Sequence, residues 1–208
     1  MSQINVNKII SPDVALQGSP SIDIATTGNV TMDTNVLFVD ATNDRTGVGT
    51  ASPARTLDIA GSRGANFSGG LVIEKCNIVS AALTGTVNHD FQTSNAYYYS
   101  ANPTGNWTYN VRFNSGNTLN SKINNDEHFC ITYICPVAAG SYYHLNLQID
   151  GATQTVEWQS EEAPTQGGGR PDDDAATAGF DVYFFDIIKT ASATYTCFGT
   201  HSHFGAYS

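Results

Sequence analysis

"WTYNVRF", residues 107–113, alternates without a break: Trp107, Tyr109, Val111 and Phe113 fall on one face, Thr108, Asn110 and Arg112 on the other. A period of two marks a strand with one buried side. "YHLNLQI" (143–149) has the same rhythm, which predicts Tyr143, Leu145, Leu147 and Ile149 inward and His144, Asn146 and Gln148 outward. "FCITYICPV" (129–137), "TQTVEW" (153–158), "FDVYFFDII" (180–188) and "ATYTCF" (193–198) add strands at the short spacing of a sandwich or jelly roll. Composition agrees. Only 13% of the 208 residues are charged, Tyr and Phe number ten each, and Asn, Thr, Ser and Gly supply the polarity. These residue types favour strands and turns over helix interiors. The expected class is all-β.

The chain changes character near residue 70. Residues 1–69 are short apolar alternations broken by turns, with almost no aromatic bulk beyond Phe38 and Phe67. Such a segment hardly builds a core alone, yet its Val/Ile/Leu content argues against disorder. Identical chains pooling short strands about a common axis would bury what one chain leaves open. The expected organisation is therefore an extended, intertwined trimeric shaft over 1–69 and a jelly-roll-like β-sandwich head over 70–208. Within the first part, "DRTGVGTASPARTLDIAG" (44–61) raises the question of a phosphate loop. The dinucleotide pattern fails because Ser52 stands where a third glycine is needed. No lysine occurs between Lys8 and Lys75 to complete a P-loop. The glycines read as structural, allowing positive φ and close backbone approach.

The net charge of −10 and a pI near 4.6 repel phosphate backbones and anionic lipid, so neither nucleic acid nor membrane insertion is expected. The N-terminus lacks the apolar run of a signal peptide, and no stretch approaches ~18 apolar residues. A soluble product assembled in the cytosol is the expectation. The four cysteines, Cys76, Cys130, Cys135 and Cys197, match no zinc spacing and read as reduced, small core residues. Cys130 and Cys135 should face opposite sides of one strand.

Two regions carry a family resemblance. "NVLFVDATNDRTGVGTASPARTLDIAG" (35–61) resembles a motif of phage fibre shafts. "GNWTYNVRFNSGNTLNS", "LQIDG", "EWQSEEAPTQG" and "FDVYFFDIIKTASATYTCF" are similar to the C-terminal domain of tail-fibre-like virion structural proteins of tailed phages, especially those infecting marine cyanobacteria. The resemblance implies a homotrimeric virion appendage without enzymatic activity, partnered by other virion proteins and in contact with a host surface, where a glycan is one possible receptor. A capsid or neck decoration without a receptor role is the alternative, and a carbohydrate-active depolymerase a second. The chain departs from the family pattern in the insertion "TQGGGRPDDDAATAG" (165–179) and in its ending "GTHSHFGAYS".

Candidate site residues are few. No G-x-S-x-G elbow, H-E-x-x-H or catalytic-cysteine context appears. Glu157, Glu161, Glu162 and Asp172 to Asp174 cluster in or beside the loop 159–179, as a solvated loop, a cation site or, less fittingly, a catalytic pair. His201 and His203 share one face of a strand about 6.6 Å apart. Three copies on a threefold axis would offer six nitrogens suited to iron or nickel, as in His-x-His sites of some trimeric phage fibres; the other reading is a surface pair near a chain end. Tyr98, Trp107 and Trp158 are candidate receptor contacts that could stack on host sugars, core or inter-subunit packing being the competing reading.

Overall fold

The computed structural model describes residues 22–24, 30–32, 36–60, 65, 73–137, 142–159, 163–164 and 179–205. Among these the regular structure is β, in two compact units, Met1–Leu71 and Val72–Ser208. The insertion at 165–179, except Gly179, and the acids Glu161, Glu162 and Asp172 to Asp174 lie outside the described residues.

The first unit holds one sheet in sequential order: β1 (Ile22–Ile24), β2 (Val30–Met32), β3 (Leu37–Asp40), β4 (Arg45–Val48) and β5 (Leu57–Ile59). The first four strands pair antiparallel, and β5 returns parallel to β4. The β3–β4 turn is built by Asp40, whose Oδ1 accepts from the Thr42 and Asn43 amides at 3.0 and 3.2 Å. A hydrogen bond from the Asn43 side chain is the largest cause that holds the Asp40 carboxyl below its ordinary range. The Gly-x-Gly question is answered by steric contact. Gly49 has φ of +76°, and a side-chain carbon there would lie 2.0 Å from the Ala60 carbonyl oxygen; one at Gly47 would lie 2.2 Å from that of Thr50. The next element is strand β5, not a helix, so the glycines let the chain turn back beside β4. Val36 and Leu57, each 58% exposed, and the paired Val48 and Ile59 leave this unit with uncovered aliphatic surface.

The second unit is a two-layer sandwich. Its strands are β6 (Cys76–Val79), β7 (Gly85–Asp90), β8 (Ala96–Tyr99), β9 (Trp107–Arg112), β10 (His128–Val137), β11 (His144–Ile149), β12 (Ala152–Thr153), β13 (Val156–Trp158), β14 (Gly179–Ala191) and β15 (Thr194–Gly205). One sheet has the order β13-β15-β14-β10-β8-β6 and the other β12-β11-β9-β7. From β6 to β11 the chain alternates between sheets, so strands two apart pair parallel: β6 with β8, β8 with β10, β7 with β9, β9 with β11. A jelly roll pairs its neighbours antiparallel, so the two-layer expectation fits while this connectivity differs. Only the β10–β14–β15 portion is a long antiparallel ladder.

The predicted face of β9 is inside: Trp107, Tyr109 and Val111 are fully buried, and Phe113 packs at the margin. Opposite them lie Tyr97, Tyr99, Ile131, Tyr133, Cys135, Tyr183, Phe185 and Ile187. Tyr109 stacks on Tyr133 across the layers with ring planes 6° apart. One phase expectation is overturned. His144 is buried and Leu145 is 47% exposed, because a bulge between His144 and Asn146 slips β11 by one residue; Leu147 and Ile149 remain inward. The cysteine reading holds for Cys135 and Cys197 but not for exposed Cys76 or half-buried Cys130.

Candidate functional site

The two outer faces of the sandwich are chemically unlike. On the six-stranded sheet, the even positions of β14 and β15 point outward, because their odd neighbours fill the core or lie nearest to it. Phe180, Phe184, Phe198 and Phe204 are therefore exposed by 38–59%. Phe180 pairs with Phe204 in register, and the Tyr98 ring stacks on Phe180 at 5.9 Å. Ile134 and the 71% exposed Ile78 flank Tyr98 on the neighbouring strands. An aromatic and aliphatic band thus crosses the sheet from β6 to β15. A contiguous apolar band of this kind makes the face a candidate contact surface.

The four-stranded sheet presents amides and charges instead. Asn110 donates to Asn88 at 2.8 Å, Arg112 to Asp90 at 2.6 Å and Asn114 to Gln92 at 2.7 Å, forming a cross-strand ladder. Beside it Asn110, Arg112, Asn114, Asn117, Thr118 and Asp150 line a groove of ≈ 340 Å³. Asp150 is committed to holding its wall, accepting from the Leu119 and Asn120 amides at 2.7 and 2.9 Å.

His201 and His203 do share a face of β15, but it is the inward one. His203 Nδ1 donates to Asp181 Oδ1 at 2.9 Å, and the Tyr183 hydroxyl donates to Asp181 Oδ2 at 3.2 Å. Burial raises the Asp181 carboxyl pKa, and the His203 and Tyr183 hydrogen bonds draw it partly back. The His201 ring lies over Tyr183 and edge-on to Trp158. A metal centre made by three copies would need both imidazoles turned away from these partners.

Of the candidate receptor contacts, Trp107 is corrected: it is fully buried against Tyr109 and Tyr183, where alternation put it, and it cannot stack on a sugar. Trp158 is half-buried, with its ring against Phe185 and His144. Tyr98 stands on the outer aromatic face.

Sequence reasoning missed one cluster. His128 and Cys130, two apart on β10, share the outer face, and Asp186 stands directly across from Cys130 on β14. Their donor atoms all lie within 4.8 Å of one another, the one such His/Cys/Asp/Glu group of three among the described residues. His128 Nε2 is in contact with Asp186 Oδ1, and the Cys130 sulfur is 3.7 Å from Asp186 Oδ1 and 3.9 Å from His128 Nε2. Burial first, then the Asp186 and Glu74 carboxylates, pushes the Cys130 thiol pKa up. The His-x-Cys spacing in "HFC" was its legible part; Asp186, 56 residues away, needed the strand pairing. Comparison with protein-family models, with curated proteins and with solved structures finds no match.

Proposed function

We propose that the protein is a virion structural component of a tailed phage, a homotrimeric fibre-like appendage that serves assembly and contact with the host surface. The observation that carries this reading is the aromatic outer face of the six-stranded sheet. A lone chain leaves Phe180, Phe184, Phe198 and Phe204 in water beside Ile78 and Tyr98, and association would cover them. The uncovered Val36, Val48, Leu57 and Ile59 of the short N-terminal strands support the same conclusion and fit an intertwined shaft. The resemblance of residues 35–61, 105–121, 147–151, 157–167 and 180–198 to fibre-like virion proteins supplies the setting. On this reading host contact falls to the polar face and its groove, whose amides, arginine and hydroxyl suit the hydroxyl groups of a glycan. Fe or Ni at a threefold axis would draw on His201 and His203 only if assembly re-aims them.

Light scattering on the purified full chain tests the assembly. The expected mass is three times the 22.2 kDa chain, falling toward one chain in Phe184→Asp/Phe198→Asp and unchanged in Asn88→Asp on the polar face. A monomeric wild type at micromolar concentration would overturn the proposal. Immunogold labelling of intact particles tests the virion setting separately.

A further inference from the structure

We propose that His128, Cys130 and Asp186 form a binding site for a borderline-soft divalent cation of the zinc class. The site is complete within one chain and does not depend on the trimeric reading. Its donors are an imidazole nitrogen, a thiol sulfur and a carboxylate oxygen, the three ligand types that zinc takes from proteins. A tetrahedral ion with bonds of about 2.0–2.3 Å needs its ligand atoms roughly 3.3–3.8 Å apart. The Cys130 sulfur already stands 3.7 Å from Asp186 Oδ1 and 3.9 Å from His128 Nε2. Only the His128–Asp186 contact must open to admit an ion between them. Both of those side chains are accessible in the single chain, at 53% and 39%, so rotation is cheap there.

The backbone beneath is rigid. β10 and β14 pair over ten consecutive positions, and Cys130 and Asp186 are cross-strand neighbours within that ladder. Two strands thus fix three ligands on one face, leaving a fourth position for water. Two carboxylates act on the thiol, Asp186 beside it and Glu74 from the neighbouring chain segment. The field that opposes a bare thiolate attracts a dication. As the sulfur–metal bond forms, the Cys130 proton passes to solvent, so affinity rises with pH. Thiolate and imidazole favour Zn²⁺ or Co²⁺ over Mg²⁺ or Ca²⁺, which prefer all-oxygen sites.

The test is a cobalt titration of the full-length protein, reduced with a phosphine, followed by zinc competition. The expected result is a thiolate-to-cobalt charge-transfer band that saturates at one ion per chain, disappears on adding one equivalent of zinc, and ignores millimolar calcium. Cys130→Ser should abolish the band, and Asp186→Asn should weaken zinc binding at least about tenfold. His128 and Asp186 are exposed by 53% and 39%, and none of the three ligands belongs to the buried core, so each variant should melt close to wild type in chelator. His201→Ala/His203→Ala should leave band and affinity unchanged. No band in the wild type, or a band surviving in Cys130→Ser, would overturn the site. Loss of the band in the His201/His203 variant would overturn it too.

Discussion

Tyr133 sits at the centre of the core, fully buried, with its ring flat on Tyr109, and its hydroxyl has no hydrogen-bond partner. Burial is the largest cause of the upward push on its pKa, with the Tyr99 and Tyr97 rings adding to it. A buried hydroxyl left unmatched costs about 1–3 kcal/mol, a penalty the ring's packing outweighs here. Tyr133→Phe keeps the ring and deletes the penalty, so it should raise stability by about 1 kcal/mol, or roughly 2–4 °C in the melting midpoint. A lower midpoint on differential scanning would mean the hydroxyl is satisfied in solution and contributes to the fold. Trp107 teaches the same lesson from the sequence side. Its place in an unbroken alternation already made it a core residue, and reading it as a sugar platform set that pattern aside.

At the level of elements, Lys189 shows how a strand fixes a loop. It lies on the buried face of β14, 4% exposed, and its ammonium donates to the carbonyls of Asn120 and Ile123 at 2.7 and 2.6 Å. The backbone adds two ties: Asp126 N donates to Lys189 O at 2.8 Å, and Lys189 N to Glu127 O at 3.0 Å. Lys189→Met retains the stem but strands both carbonyls. It should cost about 3 kcal/mol and speed hydrogen exchange in residues 118–127 more than elsewhere. Equal exchange in that loop would show that the backbone ties suffice. None of this was legible from "DIIKTA", which places a lysine on the apolar side of the alternation without naming what receives it. Periodicity found the strands of the head because one face of each is buried. It failed at His144, where one extra residue in β11 reverses the phase, and a bulge leaves no mark in a hydrophobic pattern. The parallel pairing of strands two apart was equally hidden, since alternation says which side is wet but not which neighbour a strand meets. The His128–Cys130–Asp186 cluster was hidden for the same reason, because its third member arrives only through the β10–β14 register.

The chain has a net charge of −10, and the core of its second unit contains two buried histidines, on which acid should act first. His89 is fully buried, donates from Nε2 to the Ser94 carbonyl at 2.9 Å, and has its pKa lowered to about 4 by burial. His144, lying against Tyr109, is lowered to about 3, again by burial first, with His201 adding to the effect. An unfolded chain protonates both near 6.5, so below that pH it binds two protons that the folded chain refuses. Their contribution is complete above about pH 6.5 and is lost as pH falls toward about 4 for His89 and about 3 for His144, at up to about 1.4 kcal/mol per pH unit for each ring. Asp181 works the other way: burial raises its carboxyl, so the folded state takes up that proton earlier than the unfolded chain and partly opposes the loss as pH falls. Between pH 7.5 and 5 the two histidines together should remove about 4 kcal/mol. His144→Phe, which fills the same slot beside Tyr109 without a titrating nitrogen, should roughly halve the slope. The measurement is the urea midpoint at half-unit pH intervals for both proteins. A midpoint that stays flat down to pH 5 in the wild type would mean that both imidazoles can charge inside the sandwich, through water or by local opening.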